Sequence, residues 1–82
     1  MIDAVKKVVG STLQLGARSE RMQATTPLLG AVPELDSMAV VNVITALEDH
    51  FGIIIEDDEI QAATFATLGN LSAFVEGKLD EK

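Results

Sequence analysis

Leu35-Asp36-Ser37-Met38 runs into Ala39-Val40-Val41-Asn42-Val43-Ile44-Thr45-Ala46-Leu47-Glu48-Asp49-His50-Phe51-Gly52, and the reading of this stretch decides the fold. Val41, Ile44, Leu47 and Phe51 recur at three- and four-residue spacing, the period of a helix that buries one face. Asp36 and Ser37 stand where N-caps stand, and Gly52 supplies the left-handed position that closes a helix cheaply. A serine hydroxyl at that point lies outside the helix barrel. It sits beside backbone N–H groups without partners and the positive end of the helix dipole, both of which favour a phosphate ester. Ser37 therefore reads as an attachment point.

On the N-terminal side, Ile2, Val5, Val8, Val9 and Leu13 mark a first amphipathic helix over residues 3–15, with Asp3 as its cap and Gly16 as its stop. Residues 16–36 carry Gly16, Thr25, Thr26, Pro27, Gly30 and Pro33, and proline pushes the residue before it away from helical geometry. This is a long loop. In a compact domain such a loop is functional or pinned by its own apolar residues, here Leu28, Leu29 and Val32. Arg18, Glu20, Arg21 and Met22 leave room for one further helical turn.

On the C-terminal side, Ile53-Ile54-Ile55 is β-prone but has no partner strand, so it reads as a loop with one or two isoleucines turned inward. Asp57 or Asp58 is expected to cap a short third helix ending at Ala62 or Ala63. Thr67 caps the fourth, in which Leu68, Leu71, Phe74 and Val75 form the buried stripe and Gly69 is an internal weakness. Asp80-Glu81-Lys82 should fray. The expectation is one all-α domain over residues 1–82, with three longer helices, a short third helix, and a long loop between helices one and two.

Composition bounds the function. An 82-residue chain buries only about 60% of its unfolded surface, too little for a deep enzyme cleft. Hydrophobic residues make up 48% of the chain, with three Phe and no Trp or Tyr, which suits an aliphatic helical core. The absence of cysteine removes disulfides, thiolate metal sites and thiol nucleophiles. No apolar run approaches the length of a membrane span, and the N-terminal segment is too polar for a signal peptide, so a cytoplasmic location is expected. The net charge is −7, and from Met22 to Gly77 there are nine acids and no Lys or Arg. Such a body repels nucleic acid and anionic membranes and steers toward basic partner surfaces.

Asp36-Ser37-Met38, then Leu47-Glu48-Asp49-His50-Phe51, then an acidic stretch and a last helix, resembles the acyl carrier proteins of the discrete bacterial type over nearly the whole chain. The resemblance implies a four-helix bundle in which Ser37 receives the 4′-phosphopantetheine arm of coenzyme A, with Asp36 helping the modifying enzyme recognise the site. A separate phosphopantetheinyl transferase with Mg²⁺ would activate the Ser37 hydroxyl, which attacks the β-phosphate of coenzyme A and displaces adenosine 3′,5′-bisphosphate. The arm then carries acyl groups as thioesters, and a prosthetic thiol replaces the missing cysteine. The chain itself would catalyse nothing and hold no metal.

Further partners implied are acyl-transferring and condensing enzymes with basic or mixed apolar docking surfaces, met by Met38, Val40, Glu48 and Asp49, with the chain a monomer. An acyl pocket is expected between helices two and three, lined by Val41, Ile44, Leu47, Ile55, Ile60 and Phe65. Two departures from the family bear on those partners. Glu34 stands where many fatty-acid carriers have glycine, beside Pro33, which makes the approach to Ser37 stiffer and more acidic. The first turns of helix two, often acidic in that group, read Ala39, Val40 and Asn42, so dedicated partners are expected rather than those of general fatty-acid synthesis.

Each feature has a plainer account. Ser37 alone is an ordinary N-cap, and His50 suits the C-terminal end of a helix without any catalytic use. The Glu56-Asp57-Asp58-Glu59 run lacks the alternating ligands and central glycine of an EF-hand loop. The rival functions are an unmodified helical interaction module, a peptidyl or aminoacyl carrier, and an acidic Ca²⁺-binding protein.

Overall fold

The computed structural model describes residues 1–81, apart from the side chain of Asp57. The cap expected from Asp57 and the fraying expected at Lys82 lie outside the described residues. The chain forms α1 (Ile2–Thr12), α2 (Ala17–Glu20), α3 (Ser37–Phe51) and α4 (Leu68–Asp80), with two 3₁₀ turns, Asp57–Glu59 and Ala62–Phe65, between α3 and α4. No strand forms among the described residues; the one β-like contact is an isolated antiparallel bridge between Pro27 and Thr67. Among the described residues, no helix is long and apolar enough to cross a membrane.

The expected helices form with shifted edges. The first starts at Ile2, because Met1 rather than Asp3 is its cap, and the Met1 carbonyl accepts the amides of Ala4 and Val5 at 3.1 Å each. It stops at Thr12, short of the expected Leu15. Gln14 takes φ 55°, and the Gln14 and Leu15 amides turn back to Ser11 O (3.3 Å) and Gly10 O (2.9 Å). That is a Schellman closure with glutamine in the position glycine usually fills. The further turn in the long loop is α2. The short third helix takes the form of the two 3₁₀ turns, and α3 ends at Gly52, with φ 65°.

The hub is α1, which packs on α2, α3 and α4. Val5, Val9, Leu28, Val43, Leu47, Leu68, Leu71 and Val75 are fully buried between them, with Phe65 from the second 3₁₀ turn. The long loop is not slack. Its Leu28 and Leu29 amides donate to Ala66 O (3.0 Å) and Phe65 O (2.9 Å), and it accepts the amides of Leu68 at Thr26 O (3.0 Å) and Gly69 at Ala24 O (2.8 Å). Gly69 is what allows this approach, since a Cβ there would stand 2.8 Å from the Ala24 carbonyl oxygen. Its helix weakness is offset by the loop it admits.

One ion pair ties the acidic segment down. Lys78 of α4 donates to both carboxylate oxygens of Glu59 (2.8 and 2.9 Å), and Glu59 also accepts the Glu56 amide (2.8 Å). The Lys78 bond, then the Glu56 amide, holds the Glu59 carboxyl below its ordinary 4.5, and Glu59 in turn raises Lys78 above 10.5. A lowered carboxyl stabilises the fold above its ordinary value and loses that contribution as pH falls. A raised ammonium does so below its ordinary value and loses it as pH rises. The melting-temperature gap between wild type and Lys78→Gln should therefore be constant in the neutral range. It should narrow below pH 4.5 and again above pH 10.5; a gap independent of pH would sink this assignment.

Candidate functional site

Ser37 is the first residue of α3 and is exposed. The cap is Asp36 alone: its backbone is extended (φ −95°, ψ −175°), its Oδ1 accepts the Ala39 amide at 2.8 Å, and its carbonyl accepts the Val40 amide at 2.9 Å. The sequence left the cap shared between Asp36 and Ser37. With Asp36 in that role, the Ser37 hydroxyl has no structural duty there.

The arrangement suits a phosphate ester. The amides of Ser37 and Met38, at the first two positions of the helix, have no acceptor one turn earlier within it. The dipole of a 15-residue helix points its positive end at them, and no acid stands in the first turn of the helix itself. These amides are left open as donors for an ester oxygen on Ser37.

Around Ser37 the structure corrects the helix register. Val41, placed in the buried stripe and in the acyl pocket by spacing, is 60% exposed. Val40, expected to be exposed for partners, is half-buried and packs on the core. The buried face is Val43, Ile44 and Leu47, flanked by Val40 and Phe51, an unbroken helical spacing that turns Val41 outward. Met38, also expected to meet partners, is 74% exposed, so Met38 and Val41 are the large apolar side chains that this helix shows to solvent near Ser37.

The two acids expected at a docking surface differ in kind. Asp49 is exposed. Glu48 is half-buried and organises the turn after α3: its Oε2 accepts the Ile55 amide (2.9 Å), and its carbonyl accepts those of Gly52 (2.8 Å) and Ile53 (3.2 Å). Of the expected pocket residues, Ile44, Leu47, Ile55 and Phe65 are buried in one core, and Ile60 is half-buried against it.

Sequence reasoning missed one contact near the site. Glu34, two residues before the cap, receives both terminal guanidinium nitrogens of Arg18, the second at 3.0 Å. This fork, first through its hydrogen bond, keeps the Glu34 carboxyl below its ordinary range and raises Arg18. The approach to Ser37 is thus less acidic than Glu34 suggested, since its charge is matched. Residues 16 apart obey no local spacing rule, so only the unlike charges hinted at the pair. His50 is exposed in the last turn of α3, edge-on to Phe51. Among the described residues, no group of His, Asp and Glu is placed to hold a metal ion.

Comparison with known proteins agrees with this geometry. The family described as a phosphopantetheine attachment site matches residues 3–75. The solution NMR structure of a holo acyl carrier protein from Nitrosomonas europaea is 56% identical, with a TM-score of 0.91, and the match covers 96% of this chain and 95% of that one. No curated protein matches the chain.

Proposed function

The chain belongs to the phosphopantetheine attachment-site family and is an acyl carrier protein with a 4′-phosphopantetheine prosthetic group, not an enzyme; from that premise we propose that Ser37 is the residue that bears the arm. The observation that carries the assignment is the division of labour at the start of α3, where Asp36 caps the helix and Ser37 is exposed. When bound, the arm supplies a terminal thiol that holds acyl groups as thioesters. Ser37 would contribute the esterified oxygen, with its own amide and that of Met38 open as donors for the phosphate. Intact mass before and after incubation with coenzyme A and a broad-specificity phosphopantetheinyl transferase tests the reading, and an unchanged mass would overturn it.

The partners we propose are that transferase and acyl-transferring or condensing enzymes of fatty-acid, polyketide or related specialised biosynthesis, met by a monomer in the cytoplasm. The exposed side chains on α3 favour a mixed docking surface: Met38 and Val41 give apolar contact next to Ser37, and Asp49, with Glu48 behind it, gives negative charge lower down. Cargo would enter between α3 and the 3₁₀ turns by parting Ile55 and Ile60 from Ile44, Leu47 and Phe65.

Because Val40 packs on the core, Val41 is the position to probe. Val41→Asp should leave the circular dichroism unchanged and lower transfer to the carrier by the transferase several-fold. Asp49→Lys should slow association in a way that salt relieves. Wild-type kinetics for a folded Val41→Asp would return the contact to charges alone.

A further inference from the structure

We propose that Arg18 and Glu34 form a positioning pair for the modification of Ser37, an inference that rests on the reading of Ser37 above. The path from the core to the serine is short and built from named contacts. Ser19 of α2 lies against buried Gly10 of α1, so closely that a Cβ on Gly10 would stand 2.5 Å from the Ser19 Cβ. The Ser19 hydroxyl donates to Gly16 O (2.9 Å) and the Arg18 amide to Leu15 O (3.2 Å), which fixes α2 on its own turn. From this base Arg18 reaches across to Glu34 with both terminal nitrogens. Leu35, next along, is buried and its amide donates to Val32 O at 3.0 Å; Asp36 and Ser37 follow.

Leu35 anchors this segment on the core and Asp36 ties its far end to α3, which leaves the stretch before Leu35 free to swing. The fork adds a further point at Glu34, one residue before Leu35. A planar guanidinium gripping a carboxylate by two parallel bonds fixes direction as well as distance, which most exposed ion pairs do not. The chain entering α3 is thereby held in one course before any partner arrives. The alternative would be a loop that the transferase has to select from several arrangements, at a cost in apparent affinity equal to the fraction that is competent. The pair also matches the charge of Glu34, so a partner's basic groups meet Asp36, the acid next to Ser37, rather than Glu34.

Arg18 thus acts through Glu34 and the loop, without touching the reacting atoms. Its loss should raise the KM of the transferase for the carrier roughly three- to tenfold and leave kcat unchanged, because a bound loop is ordered by the enzyme in either case. In the unmodified chain, ¹⁵N relaxation should show lower order parameters for Glu34, Leu35, Asp36 and Ser37 in Arg18→Ala than in wild type. Arg18→Lys should fall between them, since an ammonium makes no fork. The exchanged pair, Arg18→Glu with Glu34→Arg, should restore both readouts. Glu34→Gln repeats the test from the other side if Arg18→Ala does not fold.

Wild-type KM and order parameters in Arg18→Ala would overturn the proposal. So would a raised KM with an unchanged loop that the exchanged pair fails to rescue, which would make Arg18 a direct contact of the transferase. A wild-type chain that gains no mass would instead overturn the reading of Ser37, and the positioning role with it.

Discussion

Ser37→Ala will fold as the wild type does and gain no mass from coenzyme A, a complete loss rather than a slowing. On the proposed assignment its hydroxyl oxygen is the atom to be esterified, and no neighbouring serine stands at a capped helix start. Stability should change by no more than about 0.5 kcal/mol, because the substitution is exposed and the cap belongs to Asp36. Asp36→Ala should show the converse, a loss of about 1 kcal/mol with Ser37 still open to modification. Intact mass and thermal melts of the two variants separate attachment from capping. A Ser37→Ala variant that still took up the arm would move the site elsewhere, and one that melted far below wild type would return the cap to the serine.

Leu28→Ala should have the largest effect on the fold itself. Leu28 is fully buried and lies in the loop before α3, whereas its neighbour Leu29 is 44% exposed. Truncating a buried leucine costs about 2–5 kcal/mol through lost transfer energy and the cavity left behind. In a domain of this size that lowers the melting temperature by roughly 10–30 °C. Leu29→Ala keeps the same backbone bond to Phe65 and should cost about 0.5 kcal/mol or less. Equal losses at the two positions would mean that the loop is not pinned as described.

The parts of this molecule that obey local rules were legible in its residues. Asp36 and Thr67 do cap helices, through the Ala39 and Asn70 amides at 2.8 and 3.1 Å, and Gly52 does close α3. Leu68, Leu71 and Val75 are buried as their spacing required. The errors fall where local rules are degenerate or silent. Val40, Val41, Val43 and Ile44 are apolar on more than one side, so two registers fit the pattern and only packing against α1 chooses between them. Gln14 does glycine's work at the end of α1, which composition cannot foretell. Gly69 looked like a flaw because the carbonyl it accommodates, Ala24, lies far away in sequence. The Arg18–Glu34 fork and the Lys78–Glu59 pair were hidden for the same reason, and they leave the acidic surface less uniform than a count of charges implies.

The pairing of residues 24–29 with residues 65–69 sets an order of events as the chain folds. Its two sides are about 40 residues apart, and joining ends at that separation costs on the order of 3 kcal/mol of chain entropy before any contact offsets it. Helical turns in α1 and α3 form within microseconds and wait on this closure. Residues 24–29 of the loop leading to Ser37 therefore take their native course only when residues 65–69 arrive to receive them. On the ribosome, a chain whose α4 is still unmade has its serine but not the contacts that seat the first half of the loop before it.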